Sequence, residues 1–171
     1  DNPGFIVMGD GKIDDYLTEN RFFDNNYIVQ QQLDLAHING APFDMRVVMG
    51  KDADGTWKCR GIECRLAGPK NLITNISRGG QALSVNNAVR LAFGPGVHSN
   101  GVKSDVISAA LQFCSIMDGT GEHFAEFGLD LAIDVNMRYW FIEANVRPVF
   151  RGFKKLDFEN YLHIRHEPLL Y

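Results

Sequence analysis

The sequence predicts an α+β fold in which an antiparallel sheet packs against helices. Two β-hairpins carry this prediction, one turning at Asp54-Gly55 and the other at Asn136-Met137, because Asp-Gly pairs and Asn favour the backbone angles of tight turns. The amphipathic stretch 103–118 supplies a helix that can cover the sheet. With 171 residues, the chain is long enough to bury a hydrophobic core.

Composition excludes several classes of protein. Apolar residues make up 45% of the chain and charged residues 22%, which is typical of a soluble globular protein. A net charge of -4 argues against nucleic acid as the main partner, and no apolar run reaches the ~18 residues of a membrane span. Cys59, Cys64 and Cys114 lack a paired spacing and favour a reduced, cytoplasmic setting over a disulfide framework.

The N-terminal part predicts three short elements. Residues 4–8 are apolar and predict a strand, which ends at a glycine-rich turn. Residues 12–23 predict a short helix with one apolar side, and Tyr27 to Leu33 predict a second strand.

The first hairpin joins strands predicted over residues 43–50 and 57–66. If the turn sets the register, Arg46 lies opposite Glu63 and Asp44 lies opposite Arg65. Alternation then leaves an apolar face made of Met45, Val47, Ile62 and Cys64.

The middle of the chain predicts loop followed by helix. Residues 68–101 are rich in Gly, Asn and Ser, so we expect mostly loop with a short strand or helix. The helix over 103–118 begins at the N-cap Ser104 and ends at Gly119. Its expected buried stripe is Val106, Ile107, Ala110, Leu111, Phe113, Cys114 and Met117.

The second hairpin joins strands predicted over 129–135 and 138–145, and a partly helical tail follows from Arg151. Its expected register places Asp130 directly opposite Glu143. One face is expected to be core, with Leu129, Leu131 and Ile133 against Trp140, Ile142 and Ala144.

The other face of this hairpin has two interpretations. Asp130 and Glu143 repel each other across the strands, and a hard divalent cation removes that repulsion. Asn145 points the same way as Glu143 and can share the cation. Alternatively, these residues and Asp134 form an ordinary solvated face. Alternation alone does not decide between the two.

The segment GLDLAID…RYWFIEANVRP resembles the ATP-grasp signature, in which an Asp precedes a Glu-x-Asn by about a dozen residues. The closest likeness is to the endospore coat-associated YheC/YheD proteins, and it runs from about Tyr27 to about Arg151. The residues that carry it are Tyr27-Ile-Val-Gln-Gln31, Gly40-Ala-Pro-Phe-Asp-Met-Arg46, Gly55-Thr-Trp57, Gly61…Arg65, Thr74-Asn75…Gly79-Gly80, His123…Glu126, and Glu143-Ala-Asn145 with Pro148.

This resemblance implies an ATP-grasp C-terminal lobe and a set of site residues. The implied Mg²⁺ ligands are Asp130, Glu143 and Asn145, with Mn²⁺ equally suited to oxygen ligands. The implied nucleotide-binding residues are Val29, Gln30, Gln31, Gln32 and Leu33, which form a hinge against adenine, together with Arg65 and Asn75. The implied catalytic arginines are Arg46, Arg78 and Arg147, which face phosphate or an acidic substrate.

Each of these assignments has a structural alternative. Residues 29–33 also suit an ordinary sheet strand, and the Gly79-Gly80 pair after Arg78 also suits a simple turn. Arg46 and Arg65 also suit structural ion pairs within the first hairpin, and Arg147 suits a solvated loop.

The resemblance implies an ATP- and Mg²⁺-dependent ligase that joins a small carboxylate substrate to an amine or similar nucleophile through an acyl phosphate. Two alternatives stay open: a kinase on the same fold, and a non-catalytic coat component that keeps the fold. The implied location is the cytoplasm, the forespore or the spore coat, and partners among coat proteins and an oligomeric state stay open.

The resemblance also implies a division of the chain. Residues 27–171 correspond to the nucleotide- and metal-binding domain, and residues 1–26 to a remnant of the preceding lobe or a linker. The glycine-rich phosphate loop of the smaller lobe has no counterpart before Tyr27. We therefore expect that lobe to be missing from this sequence and the isolated chain to have an incomplete clamp.

Overall fold

A computed structural model describes residues 13–19, 30–68 and 80–166. The chain forms two compact units, residues 1–34 and 35–171. In the first unit, helix α1 spans Ile13–Glu19 and confirms the central part of the helix predicted over 12–23. The strand predicted over 4–8 lies outside the described residues, as does the beginning of the strand predicted from Tyr27.

The described end of that second predicted strand, residues 30–33, forms no strand. Gln30, Gln31 and Gln32 are all exposed. Three consecutive exposed side chains lack the alternation of buried and exposed residues that a half-buried strand shows. The strand prediction is therefore wrong for these residues.

The second unit contains an antiparallel sheet, as predicted. Its order is β4-β3-β2-β5-β6, and β1 pairs with β2 beside this path. The strands are β1 (His37–Ile38), β2 (Ala41–Lys51), β3 (Trp57–Leu66), β4 (Gln81–Leu83), β5 (Glu126–Ile133) and β6 (Tyr139–Asn145).

Helices cover both faces of this sheet. Helices α2 (Val85–Phe93) and α3 (Ser99–Asp118) pack on the main core. That core includes alternate residues of the strands, such as Met45, Val47, Leu129 and Leu131. Helices α4 (Phe153–Leu156) and α5 (Phe158–His166) confirm the helical tail. They contribute Phe153 and Ile164 to a smaller cluster with Val48, on the opposite side of β2.

The register of the first hairpin is the predicted one from Phe43 to Val48. Beyond that point a β-bulge shifts it by one residue, so that Met49 pairs with Cys59. The extra residue of the bulge is Arg60, which falls between two paired positions of the ladder. The predicted pairs of opposed residues, Asp44 with Arg65 and Arg46 with Glu63, lie in the part of the hairpin whose register is confirmed.

The middle of the chain is more helical than predicted. Residues 85–93 form α2, which Ser84 caps by accepting a hydrogen bond from the backbone N–H of Asn87. Val85, Ala88 and Val89 are buried at helical spacing, a pattern that the polar composition of residues 68–101 obscured.

The long helix α3 begins earlier than predicted. It starts at Ser99 after His98, not at the expected N-cap Ser104, and it ends at Gly119 as expected. Its buried residues are Val102, Val106, Ala110 and Cys114, whereas Leu111 is exposed. Phe113 and Met117 are half-buried and pack against the main core, as predicted. The fully buried residues, spaced every fourth position, form a narrower stripe than the sequence suggested.

The second hairpin keeps the predicted register only near its open end. Asp130 pairs with Glu143, but a β-bulge at Ile142 makes Leu131 pair with Phe141. The bulge exchanges the faces of the residues between it and the turn, so the predicted core position of Trp140 is wrong. Ile142 and Ala144 are exposed, so their predicted core positions are wrong as well. Phe141 stacks on Phe113 of α3, with 5.1 Å between ring centroids.

The turn of this hairpin also differs in detail from the prediction. The residue with positive φ is Met137, at 62°, rather than Asn136. Asp134 holds the turn through its Oδ1, which accepts hydrogen bonds from the backbone N–H groups of Asn136 and Arg138 at 2.8 and 3.0 Å. The side chain of Asp134 thus stabilises the turn by accepting from the backbone N–H groups that follow it. Asn136 does not adopt a positive φ angle.

None of the helices in the described ranges is long and apolar enough to cross a membrane.

Candidate functional site

Four charged residues form one row across the sheet. Arg46 on β2 lies directly opposite Glu63 on β3 and directly opposite Asp130 on β5. Asp130 in turn lies opposite Glu143 on β6. We call Glu63, Arg46, Asp130 and Glu143 the charged row. It lies on the sheet face opposite the main core, because the sequence neighbours of Arg46 and Asp130 on either side are core residues.

Arg46 binds Asp130 rather than Glu63. Its Nη2 donates to Asp130 Oδ2 at 2.9 Å, and its Nε donates to Oδ1. Arg46 and Asp130 are both buried. The sequence correctly predicted that Glu63 lies opposite Arg46. However, β2 lies between β3 and β5, and the Arg46 side chain binds Asp130 on β5, which does not belong to the first hairpin. An Arg46–Glu63 ion pair is therefore not what the structure contains.

Arg65 adds a second guanidinium to Asp130. Its Nε and Nη2 donate to Asp44 at 2.7 and 2.6 Å, which confirms the predicted pair. The same Nη2 lies 2.8 Å from Asp130 Oδ2. Burial works against ionisation of Asp130, but the hydrogen bond from Arg46 and the charges of both arginines hold its pKa below the ordinary value. Asp130 is thus an ionised carboxylate held between two arginines.

Glu63 is the least satisfied member of the row. Its side chain is 2% exposed, and among the described residues its Oε2 has no hydrogen-bond partner. Burial raises the pKa of Glu63 to about 7, while the charges of Arg65 and Arg46 act in the opposite direction. Burial without a partner is costly for a carboxylate oxygen.

Glu143 and Asn145 stand at the accessible end of the row. Glu143 is exposed and Asn145 half-buried, and Asn145 Nδ2 donates to Glu143 Oε1 at 2.9 Å. This contact shows that the two side chains share a face, as predicted. It also leaves the amide oxygen of Asn145 available to another ligand.

The donor set fits a hard cation in its chemistry, since it offers two carboxylates and an amide oxygen. Within residues 13–19, 30–68 and 80–166, no group of three or more His, Cys, Asp or Glu is arranged to hold a metal. The predicted set contains only two such residues, and one of them, Asp130, is bound to arginines.

Of the remaining predicted site residues, Arg147 is the one described within the second unit. Arg147 is exposed just beyond β6. Gln30, Gln31, Gln32 and Leu33 belong to the first compact unit. Val29, Asn75 and Arg78 lie outside the described residues.

Asp134 is a structural residue of the hairpin. Besides holding the turn, it accepts a hydrogen bond from Trp140 Nε1 on its Oδ2 at 3.0 Å. The hydrogen bond that the backbone N–H of Arg138 donates keeps the pKa of Asp134 below its ordinary value, and burial acts in the opposite direction. The bulge at Ile142 places Trp140 on the same sheet face as Asp134. The sequence did not predict this bulge, so it did not predict the hydrogen bond between the two side chains.

Gly128 is a site residue that sequence reasoning did not single out. A Cβ at this position would clash with Pro148 Cβ and would lie 3.2 Å from Arg46 Cδ. The glycine therefore lets Pro148 and the side chain of Arg46 pack closely against β5. The available signal was a glycine inside a strand, two residues before an acid, which often marks a close approach.

Comparison with known proteins places these features in a family. A family model described as YheC/D like ATP-grasp matches residues 12–171. The endospore coat-associated protein YheD of Bacillus subtilis (strain 168) is 30% identical over 125 residues, covering 72% of this chain and 27% of YheD. The endospore coat-associated protein YheC of the same strain is 25% identical over 124 residues, covering 72% of this chain and 34% of YheC. The aligned part of the chain thus spans about a quarter to a third of these relatives.

Proposed function

The chain belongs to the YheC/D-like ATP-grasp family, and from this we propose that it carries the nucleotide- and magnesium-binding residues of an ATP-dependent ligase. The observation that carries the proposal is the charged row with Asn145 at its end. This sheet face carries two acids paired across strands, an amide oxygen beside them, the buried Arg46 and the partly buried Arg65. Such groups are suited to a polyphosphate and its cation.

We assign the cation to Asp130, Glu143 and Asn145. A cation bound there supplies charge neutralisation for the β- and γ-phosphates of ATP. Glu143 and Asn145 reach solvent, so they would hold the cation from the accessible side of the row. Asp130 is deeper and completes the set.

Arg46 and Arg65 supply positive charge to the proposed site. Arg46 and Arg65 are held by buried carboxylates, Asp130 and Asp44, which orient their planar guanidinium groups. The Arg65–Asp44 pair involves no proposed cation ligand, so the charge of Arg65 is in place before the reaction and stabilises phosphoryl charge without reorganisation. Burial opposes the charge of Arg65, yet its hydrogen bond to Asp44 raises its pKa, so this charge is permanent.

The proposed reaction proceeds in two steps. A carboxylate oxygen of the substrate attacks the γ-phosphorus, the bond to the β-phosphate oxygen breaks, and ADP leaves. The nitrogen of an amine then attacks the acyl carbonyl, loses a proton, and expels phosphate with the electron pair of the broken C–O bond. Positioning and electrostatics supply the catalysis in both steps, so no nucleophilic side chain is required.

A second candidate function is a structural role in the spore coat. The names of the two relatives, both endospore coat-associated proteins, favour it. Under this proposal the chain keeps the fold and acts in the forespore or the coat. It predicts partners among coat proteins and no turnover of ATP.

Calorimetric titration of ADP in the presence of excess Mg²⁺ tests the nucleotide site. We expect Glu143→Ala to weaken binding at least tenfold, since losing a charged ligand costs about 2 kcal/mol or more. Glu159→Ala, an exposed acid on α5, is the matched control and should bind like the parent. Equal binding by Glu143→Ala and the parent contradicts the metal assignment.

Release of ADP from ATP distinguishes the candidate activities. A ligase releases ADP continuously only when both a carboxylate and an amine are supplied, because without the amine the reaction stops at the acyl phosphate. A kinase needs a hydroxyl substrate instead. Nucleotide binding without turnover on any such pair, measured on the protein that contains this chain, supports the structural role instead.

A further inference from the structure

Arg46 occupies a symmetric position between two buried acids. On β2 it is in register with Glu63 on one neighbouring strand and with Asp130 on the other. Directly opposed residues in antiparallel strands have Cβ atoms about 5 Å apart. A guanidinium on a flexible arginine side chain can therefore reach either carboxylate without movement of the backbone.

The two acids are not equally satisfied. Asp130 receives bonds from both Arg46 and Arg65. Glu63 is 2% exposed and its Oε2 has no partner among the described residues. The groups that face Glu63 are Arg65 on its own strand, Arg46 and Asp44 on β2, and the backbone amide of Phe153 on α4. One acid thus has two guanidinium partners while its neighbour across β2 keeps a buried oxygen unbonded.

We infer that Glu63 is a positioning residue. It accepts the hydrogen bonds of Arg46 when a bound cation neutralises the negative charge of Asp130, or when a substitution removes that charge. Once Asp130 binds a cation, its carboxylate no longer supports two arginine contacts, and a divalent charge repels the guanidinium groups. Arg65 keeps Asp44 as its partner. Arg46 needs a second acceptor, and Glu63 provides a buried one in the same row.

The exchange gives the proposed nucleotide site a specific order of events. Before a cation binds, Arg46 and Arg65 neutralise Asp130. When Asp130 binds a cation, Arg46 moves to Glu63 and stays on the same sheet face. This use of the exchange rests on the proposed function, whereas the exchange itself depends only on the charge of residue 130.

A double-mutant cycle tests the exchange without any cation. Urea unfolding is measured for the parent, Glu63→Gln, Asp130→Asn and the double variant, with the full chain in a metal-free buffer. In the parent background Glu63→Gln should leave the unfolding equilibrium unchanged or make the chain more stable, because it removes a buried acid with an unbonded oxygen. In the Asp130→Asn background it should destabilise the chain about tenfold, because Arg46 then depends on Glu63.

If Glu63 had only a structural role, the effect of Glu63→Gln on stability would not change sign between the two backgrounds. An equal effect of Glu63→Gln in both backgrounds overturns the inference. Failure of Asp130→Asn to fold also overturns it, since a second acceptor for Arg46 should keep that variant folded. A crystal structure of Asp130→Asn provides the direct check: a contact from Arg46 to Glu63 supports the exchange, and an arginine left at the substituted position or in solvent refutes it.

Titration with Mg²⁺ and ADP connects the exchange to the proposed function. Glu63→Gln should bind about tenfold more weakly than the parent, because Arg46 then has no anionic acceptor. Glu126→Gln is a control for the loss of an acid, since Glu126 is a half-buried glutamate at the end of β5 away from the turn of the second hairpin and outside the charged row, and it should bind like the parent. Undiminished binding by Glu63→Gln refutes the inference. If even the parent fails to bind, the proposed function fails, while the metal-free cycle still decides the exchange.

Discussion

At the scale of single residues, the chain keeps an imbalance of charge on one sheet face. Asp44, Asp130 and Glu63 lie on this face with Arg46 and Arg65, and the two aspartates take the arginine contacts described above. Glu63 is left with an unbonded oxygen among the residues that the structure describes. A buried group of this kind costs stability, and functional sites are where such costs persist.

The imbalance predicts a pH dependence of stability. The pKa of Glu63 is raised to about 7 from an ordinary value of 4.5. The folded state therefore holds this proton more tightly than the unfolded state. The resulting stabilisation is fully present below pH 4.5 and is lost as the pH rises through about 7.

Urea unfolding of the parent and of Glu63→Gln at pH 5 and pH 8 measures this contribution. The variant lacks the titrating group, so its free energy of unfolding relative to the parent should rise between these pH values, by on the order of 2 kcal/mol. An identical pH dependence of the two proteins shows that Glu63 is not the group responsible.

At the scale of elements, a β-bulge lies between the charged row and the turn in each of the two hairpins. The bulge in β3 falls beyond Val48 and leaves the charged row in its predicted register. The bulge at Ile142 in β6 also spares Asp130 and Glu143, but it turns Trp140 toward Asp134 and Phe141 toward α3. Bulges re-aim side chains next to functional positions, and here they separate the row from the hairpin turns.

Close packing between β5 and the segment after β6 predicts that a methyl group added at Gly128 destabilises the fold. Gly128→Ala places a Cβ in collision with Pro148 and 3.2 Å from Arg46 Cδ. It should lower the free energy of unfolding by about 1–3 kcal/mol through overpacking. Gly96→Ala, where a Cβ meets nothing within 4 Å, is the control. Equal thermal or urea stability of the two variants contradicts this account.

At the scale of the whole second unit, the two faces of the sheet have separate tasks. One face carries the main core beneath α2 and α3. The other carries the charged row, beside the small cluster of Val48, Phe153 and Ile164. Neighbouring residues of one strand thus contribute to the core and to the charged row in turn, because successive side chains of a strand point to opposite faces.

This division predicts opposite outcomes for substitutions on the two faces. Leu129, next to Asp130, is completely buried in the main core. Leu129→Ala should cost about 2–5 kcal/mol of unfolding free energy through a cavity, while the folded fraction keeps its affinity for ADP and Mg²⁺. Glu143→Ala should show the reverse, a small effect on unfolding and a large one on binding. A large loss of affinity in folded Leu129→Ala contradicts the division.

The sequence by itself determined the family, the α+β class, the antiparallel sheet, and the pairs Asp44–Arg65 and Asp130–Glu143. The two pairs follow from alternation and from turns that act between residues close in sequence. The cation, nucleotide and catalytic assignments stay predictions. Tertiary structure alone decided that Arg46 binds Asp130, that Glu63 is buried with an unbonded oxygen, and that Trp140 and Phe141 exchange faces. The reason is physical: strand order brings β5 beside β2 across a long stretch of chain, and no local pattern encodes which of two neighbours a central arginine selects.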